Sequence, residues 1–211
     1  MRQKKDQKAP NEDRSVPHLE GGAYSPPVPV SLVTTPYPPQ ALFGGEVVLD
    51  ALIDKDGKIA ELNVVQGTAP FLESVLDAVR TWTFSPAQID GHAVEERMGI
   101  VVEFPQSFLP KLTSPERKYD PPSEDSIDHA AVPISTVEPD YPLNTVAEQS
   151  VVLYNLINQQ GKVTSTEVLR DVEPLTSATL AAVQKWQFVP GKEAGAKTDS
   201  AIVVVVTFRH P

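Results

Sequence analysis

Asp54-Lys55-Asp56-Gly57 is the stretch whose residue types and spacing come closest to a metal site, because it opens like a calcium loop. The downstream oxygen ligands that such a loop requires are missing, and the chain returns to the pattern later as Asn158-Gln159-Gln160-Gly161, with both aspartates gone. Turn chemistry between two strands therefore accounts for it better than a metal. His18, His92, His129 and His210 fall in tails and loops without ligand spacing, and cysteine is absent, which excludes thiolate catalysis and Cys-based metal sites. No phosphate loop, dinucleotide fingerprint, G-x-S-x-G elbow or H-E-x-x-H occurs. Carboxylates are abundant, but no pair stands out as acid and base, and they read as solvated surface. The chain is expected to have no catalytic site, cofactor or metal.

Charge narrows the partners. The net charge of −10 opposes binding to nucleic acid or anionic lipid. Most of it, about −7, lies in residues 28–104. No run of 18 or more apolar residues is present. The basic start Met1-Arg2-Gln3-Lys4-Lys5 leads into polar residues rather than an apolar segment, so neither a membrane span nor an export signal is expected in the chain as it stands.

The elements that must position any binding surface come as a repeat. Shifted by 104 residues, the chain matches itself without a gap: Val28-Pro29 returns as Val132-Pro133, and Tyr37-Pro38 as Tyr141-Pro142. Val47-Val48-Leu49 returns as Val151-Val152-Leu153, Trp82 and Phe84 as Trp186 and Phe188, and Phe104 as Phe208. Two modules follow, at 28–104 and 132–211. Residues 1–27, charged and bearing Pro and Gly, read as a disordered tail. Residues 105–131 hold Pro105, Pro110, Pro115, Pro121 and Pro122, and read as a semi-extended spacer in which Ser107-Phe108-Leu109 could dock on the first module.

Within each module a Val- and Leu-rich strand, a turn ending in Gly and an alternating strand predict a β-hairpin. Pro70 then opens a helix whose apolar stripe runs through Phe71, Val75, Ala78 and Trp82, widened by Leu72, Leu76 and Val79; Leu175, Thr179, Ala182 and Trp186 repeat it. Pro86 places the helix end near Trp82 or Thr83. A last strand covers 98–104 and 201–208, and a short helical turn is expected at 39–43 and 143–147.

Ala78-Val79-Arg80-Thr81-Trp82-Thr83-Phe84-Ser85-Pro86 and Ala182-Val183-Gln184-Lys185-Trp186-Gln187-Phe188-Val189-Pro190, set between a Tyr-Pro, a hairpin and a closing Val-rich strand ending in Phe, resemble the C-terminal domain of TonB-type energy transducers. The resemblance implies an α+β fold of two tandem TonB-C-like modules, each a three-stranded antiparallel sheet packed by one main helix and one short helix. It also implies a non-enzymatic periplasmic protein that accepts an extended peptide of an outer-membrane receptor, a TonB-box-like segment, as an added strand beside the last strand. The partner-binding residues it implies in module two are Ala201, Ile202, Val203, Val204, Val205, Val206, Thr207 and Phe208, with Glu138, Tyr141 and Pro142. In module one they are Ile100, Val101 and Val102 with Thr34, Tyr37 and Pro38; Thr34 and Glu138 stand where the family typically has Gln.

The run at 201–208 has no charge and no Pro, which suits both a strand packed on its two faces and a docking edge. Gly99, Glu103 and Pro105 read as guards on the equivalent strand of module one, so module two is the expected receptor-facing copy. The alternative is a structural or self-assembling envelope protein in which the last strands pair with one another, between modules or in a homo-oligomer.

Overall fold

The computed structural model describes residues 24–106, 116–120, 122, 128–142, 145–146 and 148–209. The spacer triplet 107–109 lies outside them. In the first half, β1 (Tyr24–Ser25) and β2 (Val28–Ser31) lead into β3 (Gly45–Ile53), β4 (Ile59–Gly67), α1 (Phe71–Val79), β5 (Thr83–Ser85), β6 (Ala87–Ile89), β7 (His92–Val94) and β8 (Glu96–Phe104). After β9 (Glu116–Lys118), the second half repeats the plan with β10 (Val132–Val137), β11 (Ser150–Ile157), β12 (Val163–Arg170), α2 (Leu175–Val183), β13 (Gln187–Val189), β14 (Gly191–Glu193), β15 (Ala196–Thr198) and β16 (Ser200–Thr207). No helix among the described residues is long and apolar enough to cross a membrane.

Each hairpin is set by one side chain and one glycine. Asp54 Oδ1 accepts the backbone N–H groups of Asp56 and Lys58, both at 2.9 Å, and Asn158 Oδ1 accepts those of Gln160 and Lys162 at 3.0 Å. That shared role is why Asp and Asn interchange at this position. Gly57 and Gly161 both take φ +74, and a Cβ on Gly57 would stand 1.8 Å from the carbonyl oxygen of Phe84. The Phe84 N–H donates in turn to Gly57 O at 2.8 Å, tying the segment after the helix to the hairpin tip.

Helix α1 buries Phe71, Val75 and Val79, with Trp82 below it, so the stripe turns through Val79 where the spacing of four, three and four pointed to Ala78. The helix also stops earlier than Pro86 alone implied. Tight i→i−3 bonds from Thr81 and Trp82 close its last turn, freeing 83–85 to pair with the arm that precedes the module. The short helix expected at 39–43 is a turn, in which the Ala41 N–H donates to Pro38 O. Most of 143–147 lies outside the described residues.

The expectation of a separate three-stranded sheet in each module gives way to one six-stranded sheet, ordered β12-β11-β16-β8-β3-β4. Both hairpins pair antiparallel with their own last strand, and the two last strands pair parallel with each other. Alternate residues of a strand point to opposite faces, and here the alternation places the two helices on opposite sides. Ile100, Val102, Val203 and Val205 pack in the core that contains Phe71 and Val75 of α1, whereas Val101, Ile202, Val204 and Val206 pack with Leu175 and Val183 of α2. The modules are thus related by a rotation about the strand direction, which turns the sheet over.

That inversion leaves the back of each module's half-sheet uncovered by its own helix, and the leading arm of the other module covers it. Tyr154 of β11 donates its O–H to Pro27 O at 3.0 Å, and Thr207 Oγ1 donates to Thr35 O at 3.2 Å. Reciprocally, a Cβ on Gly99 of β8 would stand 2.2 Å from Ala131 O, and Thr136 Oγ1 donates to Glu46 Oε2 at 3.1 Å. Each arm also bonds its own module. The indole N–H groups of Trp82 and Trp186 donate to Val33 O and Val137 O, each at 2.9 Å. Residues 24–25, placed in the tail by composition, form β1 and pair with β6, and spacer residues 116–118 form β9 beside β10.

Candidate functional site

The residues with the strongest expectation of partner contact lie at the seam. In β16, every residue from Ser150's partner Thr207 back to Ser200 pairs with β11 on one flank. On the other flank, Ile202, Val203, Val204, Val205 and Val206 pair in register with Gly99, Ile100, Val101, Val102 and Glu103. The bare backbone flank expected at 201–208, and its counterpart at Ile100, Val101 and Val102, is therefore absent: each is the other's neighbour. The physical reason is the run itself. A parallel pair buried on both faces calls for continuous β-branched residues without charge, and Ala201 to Val206 are each at most 1% exposed.

The guards read on β8 have other uses. Gly99 admits the crossing arm of module two, since the Ala131 carbonyl occupies the space a side chain would need. Glu103 is fully buried rather than a solvated charge. It faces Glu46 across the β3–β8 ladder, and Arg117 from the spacer reaches Glu103 Oε1 at 2.6 Å, Glu138 Oε2 at 3.2 Å and Glu46 Oε2 at 3.8 Å. Burial first, and the adjoining Glu46 next, push the Glu103 carboxyl well above the usual carboxylate range, against the pull of Arg117. Glu138, one of the expected contact residues, also accepts the backbone N–H of Gln106. Its carboxylate thus joins the end of β8 to the spacer strand. The surface reading of the carboxylates does not hold for these three.

Four of the expected contact residues come together from the two modules. Thr34 and Tyr37 of the first, with Thr207 and Phe208 of the second, line a hollow of about 410 Å³ at the C-terminal end of β16, together with Arg170 and Arg209. Arg170 Nη1 donates to Thr34 Oγ1 at 3.1 Å. Arg209 lies over the Tyr37 ring, 4.2 Å from its centroid, and donates to Ala41 O. Tyr37 meets Phe71 and Phe104 edge-on at 5.6 Å, and Pro38 is buried beside it. Tyr141 packs against Phe208 at 6.2 Å, and Pro142 is half-buried next to it. The Tyr-Pro pairs thus serve first as packing at the ends of the last strands.

At the opposite end of the seam, Tyr24 donates its hydroxyl to Glu96. Burial, with Glu193 adding to it, raises the Glu96 carboxyl to about 7 despite that bond. Sequence reasoning had no signal for this pair, which lies 72 residues apart in the chain.

Among the described residues no group of three or more His, Cys, Asp or Glu side chains is arranged to hold a metal ion. Among the described residues, the paired carboxylates Glu46 and Glu103 are buried, with the Arg117 guanidinium against both.

Comparison with curated proteins gives no match. A family profile, Gram-negative bacterial TonB protein C-terminal, matches twice, at residues 35–105 and 138–210. Each match begins at the end of a crossing arm and closes at the end of a seam strand, so the two profile units are the two halves of the continuous sheet. The chain belongs to the TonB C-terminal family and carries two tandem copies of its domain.

Proposed function

We propose that this protein is a non-enzymatic, periplasmic protein-binding module pair of the TonB type, which accepts an extended peptide of an outer-membrane receptor and is linked to energy-dependent transport. Membership of a transport-associated, non-enzymatic family in both halves is the observation that carries this reading. The binding residues proposed remain those of the last strands and the Tyr-Pro segments. Because the flanks of β8 and β16 are joined to each other, a peptide strand there must displace the partner module, so binding and separation of the modules are one event. Titration of the full chain with extended receptor N-terminal peptides, followed by amide NMR, tests it. Shifts along Ile100 to Val102 and Ala201 to Thr207 are expected; saturating peptide without any amide shift would sink the reading.

A specific observation favours a second reading. The seam itself is last-strand pairing between modules, the interaction on which a structural envelope protein would rely. If the same pairing also forms between chains, light scattering will detect concentration-dependent dimers that a Val204→Pro substitution removes.

A further inference from the structure

The spacer strand β9 has no counterpart on module one among the described residues. It covers β10, setting Arg117 opposite Thr136, whereas β2, the repeat of β10, pairs with β5 alone. The difference shows in burial. Ser135 is buried and Ile134 and Val137 are half-buried, but their repeats Ser31, Val30 and Val33 are all exposed, the two valines at 68% and 52%. Beside this bare arm lies the hollow of about 410 Å³, and it stands where the repeat would put a second Arg117. The three carboxylates that Arg117 reaches, Glu46, Glu103 and Glu138, repeat as Ser150, Thr207 and Thr34, and all three of these line the hollow. The charge is reversed as well. Gln66 and Pro105 repeat as Arg170 and Arg209, which give the hollow two cations against the single carboxylate of Glu148. Counting back from Arg117 by the same 104 residues reaches Asp13, in Glu12-Asp13-Arg14.

We infer that the hollow is the seat of the chain's own leading segment around Asp13, which lies outside the described residues, with the Asp13 carboxylate against Arg170 and Arg209. The contact is the charge-reversed repeat of the Arg117 strap. Reach permits it: Asp13 precedes Val28 by as many residues as Arg117 precedes Val132. The path between is set alike in both modules, since Ser25 pairs with Gln88 as His129 bridges Lys192. A single exposed ion pair is weak, but the segment is tethered, so its effective concentration at the hollow is high. Seated there, it covers Thr34, Tyr37, Thr207 and Phe208, four of the residues proposed to bind a partner, and competes with an incoming peptide. That consequence, unlike the seat itself, rests on the protein-binding reading above.

The test uses the full chain without peptide, at two protein concentrations, and reads the Arg170 Nε–H signal by NMR together with amide exchange at Val30 to Thr34. Asp13→Arg should move the Arg170 signal and quicken that exchange about fivefold, the scale of one exposed ion pair. Adding Arg170→Asp to Asp13→Arg should restore the parent's slow exchange; if that double variant does not fold, Asp13→Asn, which removes the charge without reversing it, should give a smaller effect than Asp13→Arg. An Arg170 signal and arm exchange unmoved by Asp13→Arg would overturn the seat, whatever a receptor peptide does. Effects that grow with protein concentration would assign the segment to a second copy and overturn the seat within one chain. With the seat upheld, Asp13→Arg should bind receptor peptide about fivefold more tightly than the parent, and equal affinity would overturn the competition. No peptide binding by either form would sink the protein-binding reading and leave the seat standing.

Discussion

Val204 and Val101 face each other at the middle of the parallel ladder, equivalent strands of two modules joined side by side. Both are fully buried and pack on the α2 side of the sheet. A proline at 204 removes a ladder donor in a strand bonded on both flanks and distorts its neighbours. Val204→Pro should lower the unfolding free energy by about 3 kcal/mol or more, read by denaturant titration. Val204→Ala, which keeps the ladder and loses side-chain volume, should cost less, about 1–3 kcal/mol. Equal losses from the two substitutions would mean that side-chain packing alone holds the seam.

How much of this was legible follows from what periodicity encodes. The hairpins, the helix and the last strand each carry their own pattern, and the repeat doubles the signal, so the elements of each module could be read from residues such as Val47-Val48-Leu49 and their copies. Partner choice has no such pattern. Six apolar residues at Ala201 to Val206 indicate burial on both faces, but which strand lies beside them depends on contacts over 100 residues away. The arms were illegible for a different reason: β1 and β2 are two and four residues long, too short to show alternation, and their ladder partners β6 and β5 lie far along the chain, beyond the helix. Glu103 and Gly99 were visible as interruptions of a strand. Their causes, an arginine from the spacer and the carbonyl of Ala131, were not.

The cluster at Glu103 gives the protein a pH dependence with a definite sign. Its carboxyl is raised in the folded state, so the stability it contributes is present in acid and is lost as pH rises through the folded value. The charged and titratable groups around it are Glu46, Glu138 and Arg117, with Tyr119 nearby. Glu103→Gln should therefore flatten the fall in unfolding free energy as pH rises above the usual carboxylate range and make the protein more stable than the parent at the alkaline end. Arg117→Met should do the reverse, costing about 3–5 kcal/mol near neutrality, because buried carboxylates lose their cation. Denaturant titrations across pH check both.

Glu96 offers a titration that can be followed directly. Burial places it at about 7, and the Tyr24 hydroxyl, which donates to the ionised carboxylate, holds it below where burial alone would put it. Tyr24→Phe should move the Glu96 carboxyl resonance to a higher midpoint in carbon-detected NMR. Since the folded value exceeds the unfolded one, near 4.3, the stability associated with Glu96 is complete below that pH and fades as pH passes 7. An unchanged midpoint in Tyr24→Phe would mean that the hydroxyl does not bond the ionised form.

The crossing arms predict a loss that reaches across the modules. Tyr154 is fully buried in β11, and its hydroxyl holds the carbonyl of Pro27 in the arm leading to module one. Tyr154→Phe keeps the ring and deletes that bond, leaving a carbonyl without its donor, which should cost about 1–2 kcal/mol. The location of the effect matters more than its size. If the arm is a strap on module two, hydrogen exchange should quicken at Tyr24 and Ser25 and at their partners Gln88 and Ile89, more than 60 residues from the substitution, while the β3–β4 hairpin keeps its protection. Exchange that quickens only within β11 and β12 would show that the arm is held by its pairing with β5 and by Trp82 alone, and that the modules are joined at the seam without the straps.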